Sequence, residues 1–122
     1  MTNFNFTIFT PLHNGAKTIH RVVDSLNNST YRNFEWIVVN DGSTDDSINV
    51  LKKLAEDKDW DITIIDWKDN RGKHIAWNEA ARIAKGEIFI TIDCDDAISC
   101  DALAFFNDKW NNYFSNSSIA GI

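Results

Sequence analysis

Hydrophobic and polar residues alternate along the chain with two different periods. Residues 4–9 alternate with period two, and three later segments are short runs of β-branched and other apolar residues, both typical of strands. Between these segments, apolar residues recur at i, i+3, i+4 and i+7, as on the buried face of an amphipathic helix. The pattern predicts four strands that alternate with four helices, the strands at residues 4–9, 35–40, 62–67 and 88–92.

The predicted helices differ in how clearly their ends are marked. The first has apolar residues at positions 19, 22, 23 and 26, and the second at 48, 51, 54 and 55. Ser43 and Asp46 have the spacing of a capping box ahead of the second helix. The third spans 75–85, and Gly86 is expected to act as its C-terminal stop. The fourth spans about 101–113 and is expected to face inward with Leu103, Phe106 and Trp110.

Strands that alternate with helices through short connections predict βαβ units and right-handed crossovers. The expected fold is a Rossmann-like, three-layer α/β/α domain with a mostly parallel sheet, formed by residues 1–122 as a single domain. Pro11 is expected to end the first strand. Residues 119–122 resemble the start of a fifth strand.

Composition narrows the classes of partner. The chain has 122 residues, a net charge of −6 and a pI of about 4.8, which argues against a nucleic-acid partner because phosphate backbones bind basic surfaces. No apolar run reaches the roughly 18–20 residues of a transmembrane segment, and the N-terminus lacks the features of a signal peptide. We therefore expect a cytoplasmic protein, or one peripheral to the inner face of the membrane. Cys94 and Cys100 fit neither zinc nor CxxC spacing and are expected to be reduced.

Each predicted strand is followed by a polar motif. These motifs are TPLHNG at 10–15, DGS at 41–43, NRGK at 70–73 and DCDD at 93–96. The carboxyl ends of parallel strands meet at one edge of the sheet, where ligands of such folds bind. Because a solvated surface would scatter its polar residues over both edges, this pattern indicates a binding site.

The acidic motif after the fourth strand has two interpretations. Asp93 and Asp95 are separated by one residue and could approach one cation, and carboxylate oxygens suit Mg²⁺ or Mn²⁺. Alternatively, Asp93, Asp95 and Asp96 form a solvated acidic loop, which is the commoner explanation of an isolated DxD. No basic residue between positions 87 and 108 offsets their repulsion locally. Asp41-Gly42-Ser43, taken alone, is also more often a turn than a ligand group.

Several motifs in order resemble the family 2 inverting glycosyltransferases of the GT-A fold. They are FTPLHN at 9–14, FEWIVVNDGSTD at 34–45, NRGK at 70–73 continuing to Asn78, AKGE at 84–87 and DCDD at 93–96. The resemblance extends over nearly the whole chain, and its combination of motifs is far more specific than any single one. It implies a nucleotide-sugar donor, favoured as a UDP-sugar, and Mn²⁺ or Mg²⁺ as cofactor.

The resemblance also implies roles for individual residues. The residues that would bind the donor are Thr10, Pro11, Leu12, Asp41, Lys73, Asn78 and Asp93. The first three would line the nucleoside pocket, and Asp41 would hydrogen-bond the base. Asp93 would hold the ribose or a metal-bound water, and Asp95 would coordinate the metal that bridges the diphosphate. Lys73 and Asn78 would face the diphosphate and the sugar.

This sequence departs from the family pattern at two positions, and the family implies a further region. Asn40 stands where Asp is commoner, and Trp77 stands where many members have Arg before Asn78. Family members have a second half that carries the acceptor site and a general-base carboxylate. The chain is therefore expected to be the N-terminal, nucleotide-sugar-binding half. The acceptor, a saccharide or a lipid-linked molecule, is not identified, and the catalytic base is expected beyond residue 122.

Two other classes of protein remain as alternatives. A strand ending in DxD is also found in haloacid-dehalogenase-like phosphatases, but there it ends the first strand, and position 97 is Ala here instead of Thr or Val. A phosphatase assay would separate these classes. The second alternative is a non-catalytic nucleotide-binding or scaffolding module that has the fold without turnover.

Overall fold

The computed structural model describes residues 4–116, with side chains as far as position 112. Four strands alternate with four helices, as predicted. The elements in chain order are β1 (Phe4–Leu12), α1 (Ile19–Asn27), β2 (Phe34–Asp41), α2 (Ser47–Ala55), β3 (Asp61–Trp67), α3 (Lys73–Ile83), β4 (Gly86–Thr91) and α4 (Ala102–Asn116). The fifth strand suggested for 119–122 falls outside the described residues.

The four strands form one parallel sheet in the order β3-β2-β1-β4. In the two central strands, Phe6 of β1 lies opposite Phe34 of β2, and on its other side Phe6 lies opposite Ile88 of β4. Every residue of β2 is buried, because helices cover both faces of the sheet. The predicted parallel α/β architecture is confirmed.

Helices pack on both faces of the sheet and make three layers. On one face, α1, α2 and the first turn of α4 contribute Leu26, Leu51 and Leu103 to the larger apolar core. On the other face, Ala76 and Ala80 of α3 pack against a smaller core on the same strands. Alanine at these two positions lets α3 lie close to the sheet, and α3 begins at the edge where the polar motifs meet.

A buried carboxylate joins the centre of the sheet to the start of β4. Glu35 of β2 is 4% exposed, and its Oε2 accepts hydrogen bonds from the Thr7 hydroxyl (2.7 Å) and the Lys85 backbone N–H (2.6 Å). The Thr7 hydroxyl oxygen in turn accepts from the Gly86 N–H at 2.8 Å. The network satisfies a carboxylate that would otherwise be costly to bury.

The expectation that Pro11 ends the first strand is wrong, because β1 continues to Leu12. The carbonyl of Phe9 accepts from Ile92 N–H at 2.9 Å, so the Phe9 backbone groups point toward β4. Two residues later, the backbone nitrogen of Pro11 faces the same side of β1, but β4 has already ended at Thr91. The missing N–H of proline therefore breaks no ladder hydrogen bond.

The expectation that Gly86 stops the third helix is also wrong. Helix α3 begins at Lys73 and ends at Ile83, and Gly86 is the first residue of β4. A Cβ on Gly86 would lie 2.4 Å from the Thr7 nitrogen. Glycine is needed here because the backbone of β4 approaches β1 too closely for any side chain.

The capping box predicted for Ser43 and Asp46 does not form. Helix α2 begins at Ser47, and Asp46 makes no side-chain cap hydrogen bond. Ser43 instead donates to Asn40 Oδ1 at 2.6 Å, and the Ser47 N–H donates to Asp45 Oδ1 at 3.0 Å. The neighbouring aspartate therefore satisfies the start of the helix.

Helix α4 buries only part of the face predicted to point inward. Leu103 is fully buried, but Phe106 is 44% and Trp110 is 40% exposed. Asn107 Oδ1 accepts from Asn5 Nδ2 at 3.0 Å, so α4 has already reached the beginning of β1 at this point. Phe106 lies about 100° around the helix from that contact. The expectation that Leu103, Phe106 and Trp110 all face inward is therefore met only by Leu103.

Candidate nucleotide and cation site

The carboxyl ends of the strands surround a cleft of about 450 Å³. Nine residues line it, contributed by the end of β1 and the loop after it, the end of β2, the start of α3 and the loop after β4: Pro11, His13, Asn14, Thr18, Asp41, Lys73, Asp93, Cys94 and Asp95. All four predicted polar motifs contribute lining residues at this edge, and Lys73 is the one that comes from the 70–73 motif. The four motifs therefore surround one cleft, as expected for the carboxyl ends of parallel strands.

Asp41 anchors the loop that precedes α3. Its carboxylate is 4% exposed and accepts backbone N–H hydrogen bonds from Arg71 (2.6 Å) and Gly72 (3.0 Å). Gly72 has a φ of 104°, which favours glycine and turns the chain into the helix. Asp41 therefore positions the first turn of α3 beside the cleft.

The two loops that form one wall of the cleft are hydrogen-bonded to each other. Asn14 has a positive φ of 52°, and its Oδ1 accepts from the Thr44 N–H at 2.8 Å. The Asn14 N–H donates to Ser43 Oγ at 3.0 Å, and the Gly15 N–H donates to Ser47 Oγ at 2.9 Å. Asn tolerates this backbone conformation better than most residues, which explains its presence here.

His13 lines the cleft although sequence reasoning gave it little weight. Its Nδ1 lies 2.9 Å from the carbonyl oxygen of Asp41. Because a carbonyl oxygen can only accept, this contact is a hydrogen bond when Nδ1 carries a proton. The available signal was its place inside the TPLHNG motif, which begins within β1 and continues into the loop after it.

Three carboxylates gather on the opposite side of the cleft. One oxygen from each of Asp93, Asp95 and Asp96 lies within 4.8 Å of the others. The Asp96 N–H donates to the Asp93 carbonyl at 3.0 Å, which folds the chain into a turn and brings the third carboxylate close. Hard oxygen donors at this spacing fit Mn²⁺ or Mg²⁺. The sequence had selected Asp93 and Asp95 for this role, and the structure adds Asp96.

One basic side chain reaches this group from α3. Lys73 Nζ lies 2.9 Å from Asp93 Oδ1, and this hydrogen bond raises the pKa of Lys73. The ion pair is partly open to solvent, with the Lys73 side chain 63% and the Asp93 side chain 46% exposed. The window from 87 to 108 contains no basic residue, so the counter-charge comes from twenty positions earlier in the chain.

The remaining predicted site residues take other positions. The side chains of Thr10 and Leu12 are fully buried, and Thr10 Oγ1 accepts a hydrogen bond from Trp36 Nε1 at 2.9 Å. Because both residues are buried as a whole, neither is among those that line the cleft. Asn78 lies further along α3, in a neighbouring pocket of about 410 Å³ that it shares with Lys73, His74 and Trp77.

The family model for Glycosyl transferase family 2 matches residues 7–114. The chain therefore belongs to this family, and its fold is the GT-A fold. This finding rules out the phosphatase alternative. The DxD motif also follows β4, at the edge of the described sheet, whereas in those phosphatases it ends the first strand.

Relatives that act on different polymers and sugars share the fold. The teichoic acid poly(glycerol phosphate) polymerase of Staphylococcus epidermidis is 32% identical over 106 residues, which is 87% of this chain and 15% of that protein. The S. aureus TarS 1–349 crystal structure superposes with a TM-score of 0.83 at 26% identity, over 90% of this chain and 33% of that one. The mannosyltransferase PcManGT of Pyrobaculum calidifontis, in complex with GDP-Man and Mn²⁺, gives 0.77 at 31% identity, over 85% of this chain and 31% of that one.

This chain is therefore much shorter than the proteins that it matches, spanning about a third of the solved structures and a smaller share of the polymerase. Among residues 4–116, no helix combines the length and the apolar character that a membrane span requires.

Proposed function

We propose that the chain is the donor-binding half of a glycosyltransferase that uses a UDP-sugar together with Mn²⁺ or Mg²⁺, with inverting transfer of the sugar to an acceptor hydroxyl. The observation that carries the proposal is the cleft itself. Asp41, Lys73, Asp93 and Asp95 line it, and Asp96 lies beside the last two, so groups suited to a base, a diphosphate and a cation lie side by side. Two solved relatives support the ligand class, since one TarS structure holds UDP-GlcNAc and PcManGT holds GDP-Man and Mn²⁺.

The nucleoside would lie between Pro11 and Asp41. The Asp41 carboxylate accepts from two backbone N–H groups, but its two oxygens offer about four acceptor sites in total. It therefore retains capacity for a donor on the base while it holds the loop. Thr10 and Leu12, which are fully buried, would support this wall of the pocket from beneath.

The diphosphate would lie between Lys73 and the acidic group. Asp95 and Asp93 would hold the cation, or Asp93 a water on it or the ribose, and Lys73 and Asn78 would face the diphosphate and the sugar. A bound divalent cation supplies Lewis-acid stabilisation of the departing diphosphate. The N-terminus of α3 would add its backbone N–H groups, which favour phosphate oxygens.

The acceptor and the catalytic base would lie outside the donor cleft. The relatives include a teichoic acid polymerase and a chondroitin synthase, so we propose a saccharide or lipid-linked acceptor in polysaccharide assembly. The general base would come from residues beyond 122. We place the activity on the cytoplasmic side, with the domain free or peripheral to the membrane.

Calorimetric titration of the full chain with UDP and Mn²⁺ tests the donor site. We expect UDP to bind in the presence of Mn²⁺, and the Asp95→Ala variant to lose this metal-dependent binding because the cation loses a ligand. An Asp108→Ala variant, which removes an exposed carboxylate on α4, should bind as the wild type does. Absent binding, or binding that Asp95→Ala leaves unchanged, would contradict the proposal. UDP-sugar binding without transfer to any acceptor would favour the non-catalytic alternative.

A further inference from the structure

Lys73 forms an ion pair with Asp93, the same carboxylate that would bind a cation. Its ammonium lies 2.9 Å from Asp93 Oδ1, and metal–carboxylate distances are about 2.0–2.2 Å. A divalent cation on the same carboxylate would therefore stand within a few ångströms of the ammonium. Two positive charges at that separation repel each other strongly enough to make the two partners compete for Asp93.

We propose that Lys73 is an internal counter-ion that pairs with Asp93 when the cleft is empty and transfers to the diphosphate when a cation and a nucleotide bind. The two ligands then bind with positive coupling, and Lys73 is the residue that couples them. This inference rests on the proposed function of the cleft as a site for a nucleoside diphosphate and a divalent cation.

The position of Lys73 suits this exchange. It is the first residue of α3, its side chain is 63% exposed, and a lysine ammonium forms hydrogen bonds without the fixed geometry of a guanidinium. The nearby Arg71 is held elsewhere, with its Cζ 4.6 Å from the Trp67 ring centroid and its Nε 3.2 Å from Asp69 Oδ1. Among the described residues that line the cleft, Lys73 alone carries a side-chain ammonium or guanidinium.

The coupling follows from charge balance. A cation that arrives alone must displace the ammonium from Asp93 or bind beside it. When a diphosphate is present, the ammonium has an anionic partner away from Asp93, so the cation meets the carboxylates without a competitor. Because coupling between two ligands is reciprocal, the cation should tighten nucleotide binding by the same factor.

The experiment is a titration of the full chain with Mn²⁺, alone and at saturating UDP, in the wild type and in Lys73→Met, Lys73→Arg and Lys68→Met. Calorimetry, or the electron paramagnetic resonance signal of free Mn²⁺, gives the affinity without an activity assay. We expect Lys73→Met to bind Mn²⁺ alone roughly fivefold more tightly than the wild type, the upper range for an exposed ion pair, and to show correspondingly weaker coupling with UDP. Lys73→Arg keeps the charge and should stay close to the wild type.

Lys68→Met is the matched control. Lys68 follows β3 at the same edge of the sheet and also forms an ion pair, with its Nζ 2.9 Å from Asp66 Oδ2, but it does not line the cleft. Its loss changes the net charge equally and should leave Mn²⁺ binding unchanged.

The outcomes separate the inference from the function on which it rests. If the wild type binds no UDP with Mn²⁺, the donor site and the inference both fail. If the wild type binds both ligands but Lys73→Met leaves the affinity for Mn²⁺ alone unchanged or weaker, only the inference fails. It also fails if Lys68→Met tightens Mn²⁺ binding as much as Lys73→Met does, since the effect would then reflect net charge alone.

Discussion

Asp41 and the Asp93–Asp96 group face the same cleft, but their surroundings differ. Asp41 is buried and its carboxylate accepts from two backbone N–H groups, so the fold itself offsets the burial of this charge. The three later carboxylates are half-buried or exposed and share one ammonium, that of Lys73. The difference teaches that acidic residues at one sheet edge can depend on different partners: the fold supplies the hydrogen-bond donors of Asp41, whereas the later group keeps most of its charge available for a ligand.

The largest expected effect is the loss of the Asp41 charge. Asp41→Asn removes one of the two acceptor oxygens and places an amide group against a backbone N–H. We expect the free energy of unfolding to fall by about 1.5–3 kcal/mol, the range for hydrogen bonds to a charged group. Chemical denaturation measures it, with Asp69→Asn in the same loop as an exposed control. A loss no larger than that of the control would show that Asp41 is not structural and would remove the contrast.

Glu35 offers a second example of a carboxylate that the fold itself satisfies. Glu35→Gln preserves an oxygen for the Thr7 hydroxyl and the Lys85 N–H but removes the charge that strengthens both bonds. We expect a loss of about 1 kcal/mol in the free energy of unfolding. Glu87→Gln, an exposed position on β4, is the control for removal of a negative charge. Equal stability of the two variants would mean that burial of a carboxylate does not mark a structural role here.

The acidic group should respond in the opposite direction. Asp95→Asn relieves repulsion in the ligand-free protein and should leave its stability unchanged or raise it by up to about 1 kcal/mol. The same variant should lose the stabilisation that Mn²⁺ plus UDP gives the wild type, because a ligand stabilises only in proportion to its binding. Thermal melts with and without both ligands measure this. If the ligand-free variant melts well below the wild type, Asp95 stabilises the fold, as Asp41 does.

The smallest expected effect belongs to the ion pair between Lys73 and Asp93. Exposed ion pairs contribute at most about 1 kcal/mol to the free energy of unfolding, so Lys73→Met should lower the stability of the ligand-free protein only slightly. Because the pKa of Lys73 is raised in the folded state, the contribution is present below its ordinary pKa of about 10.4 and is lost as the pH rises through the raised value. Denaturation of both proteins at pH 8 and above pH 11 should show a difference that disappears at the higher pH. If the difference persists at the higher pH, it comes from packing of the aliphatic part of the Lys73 side chain and not from the ion pair.

Sequence periodicity predicted the fold because it reports local burial. The buried stripe of α1 and the apolar run of β2 are each visible within ten residues, and alternation of the two periods implies a parallel sheet. Local signals failed where a distant strand decides the outcome. Pro11 is harmless only because β4 ends beside it, and Gly86 is required only because Thr7 lies against it.

The site was predictable as a set of motifs but not as a set of contacts. Parallel strand ends meet at one edge, so the motifs at 41–43 and 93–96 had to lie close together. The hydrogen bonds from the 71–72 backbone to Asp41, and the ion pair from Lys73 to Asp93, depend on how a loop turns into α3. No spacing within the sequence encodes that turn, apart from the glycine at 72.

The central position of β1 has a consequence for synthesis of the chain. Phe6 pairs with Phe34 on one side and with Ile88 on the other. The hydrogen bonds of Glu35 likewise cannot be completed until Lys85 has been synthesised. At about 5–20 residues per second, the roughly 80 residues from β1 to β4 take about 4 to 16 s to translate. During that interval the newly made β1 has an unpaired apolar edge, which is the stage at which the emerging chain is most exposed to proteases and aggregation. Nascent chains stalled before β4 leaves the ribosome should be cleaved readily in β1, and chains released from it should be resistant.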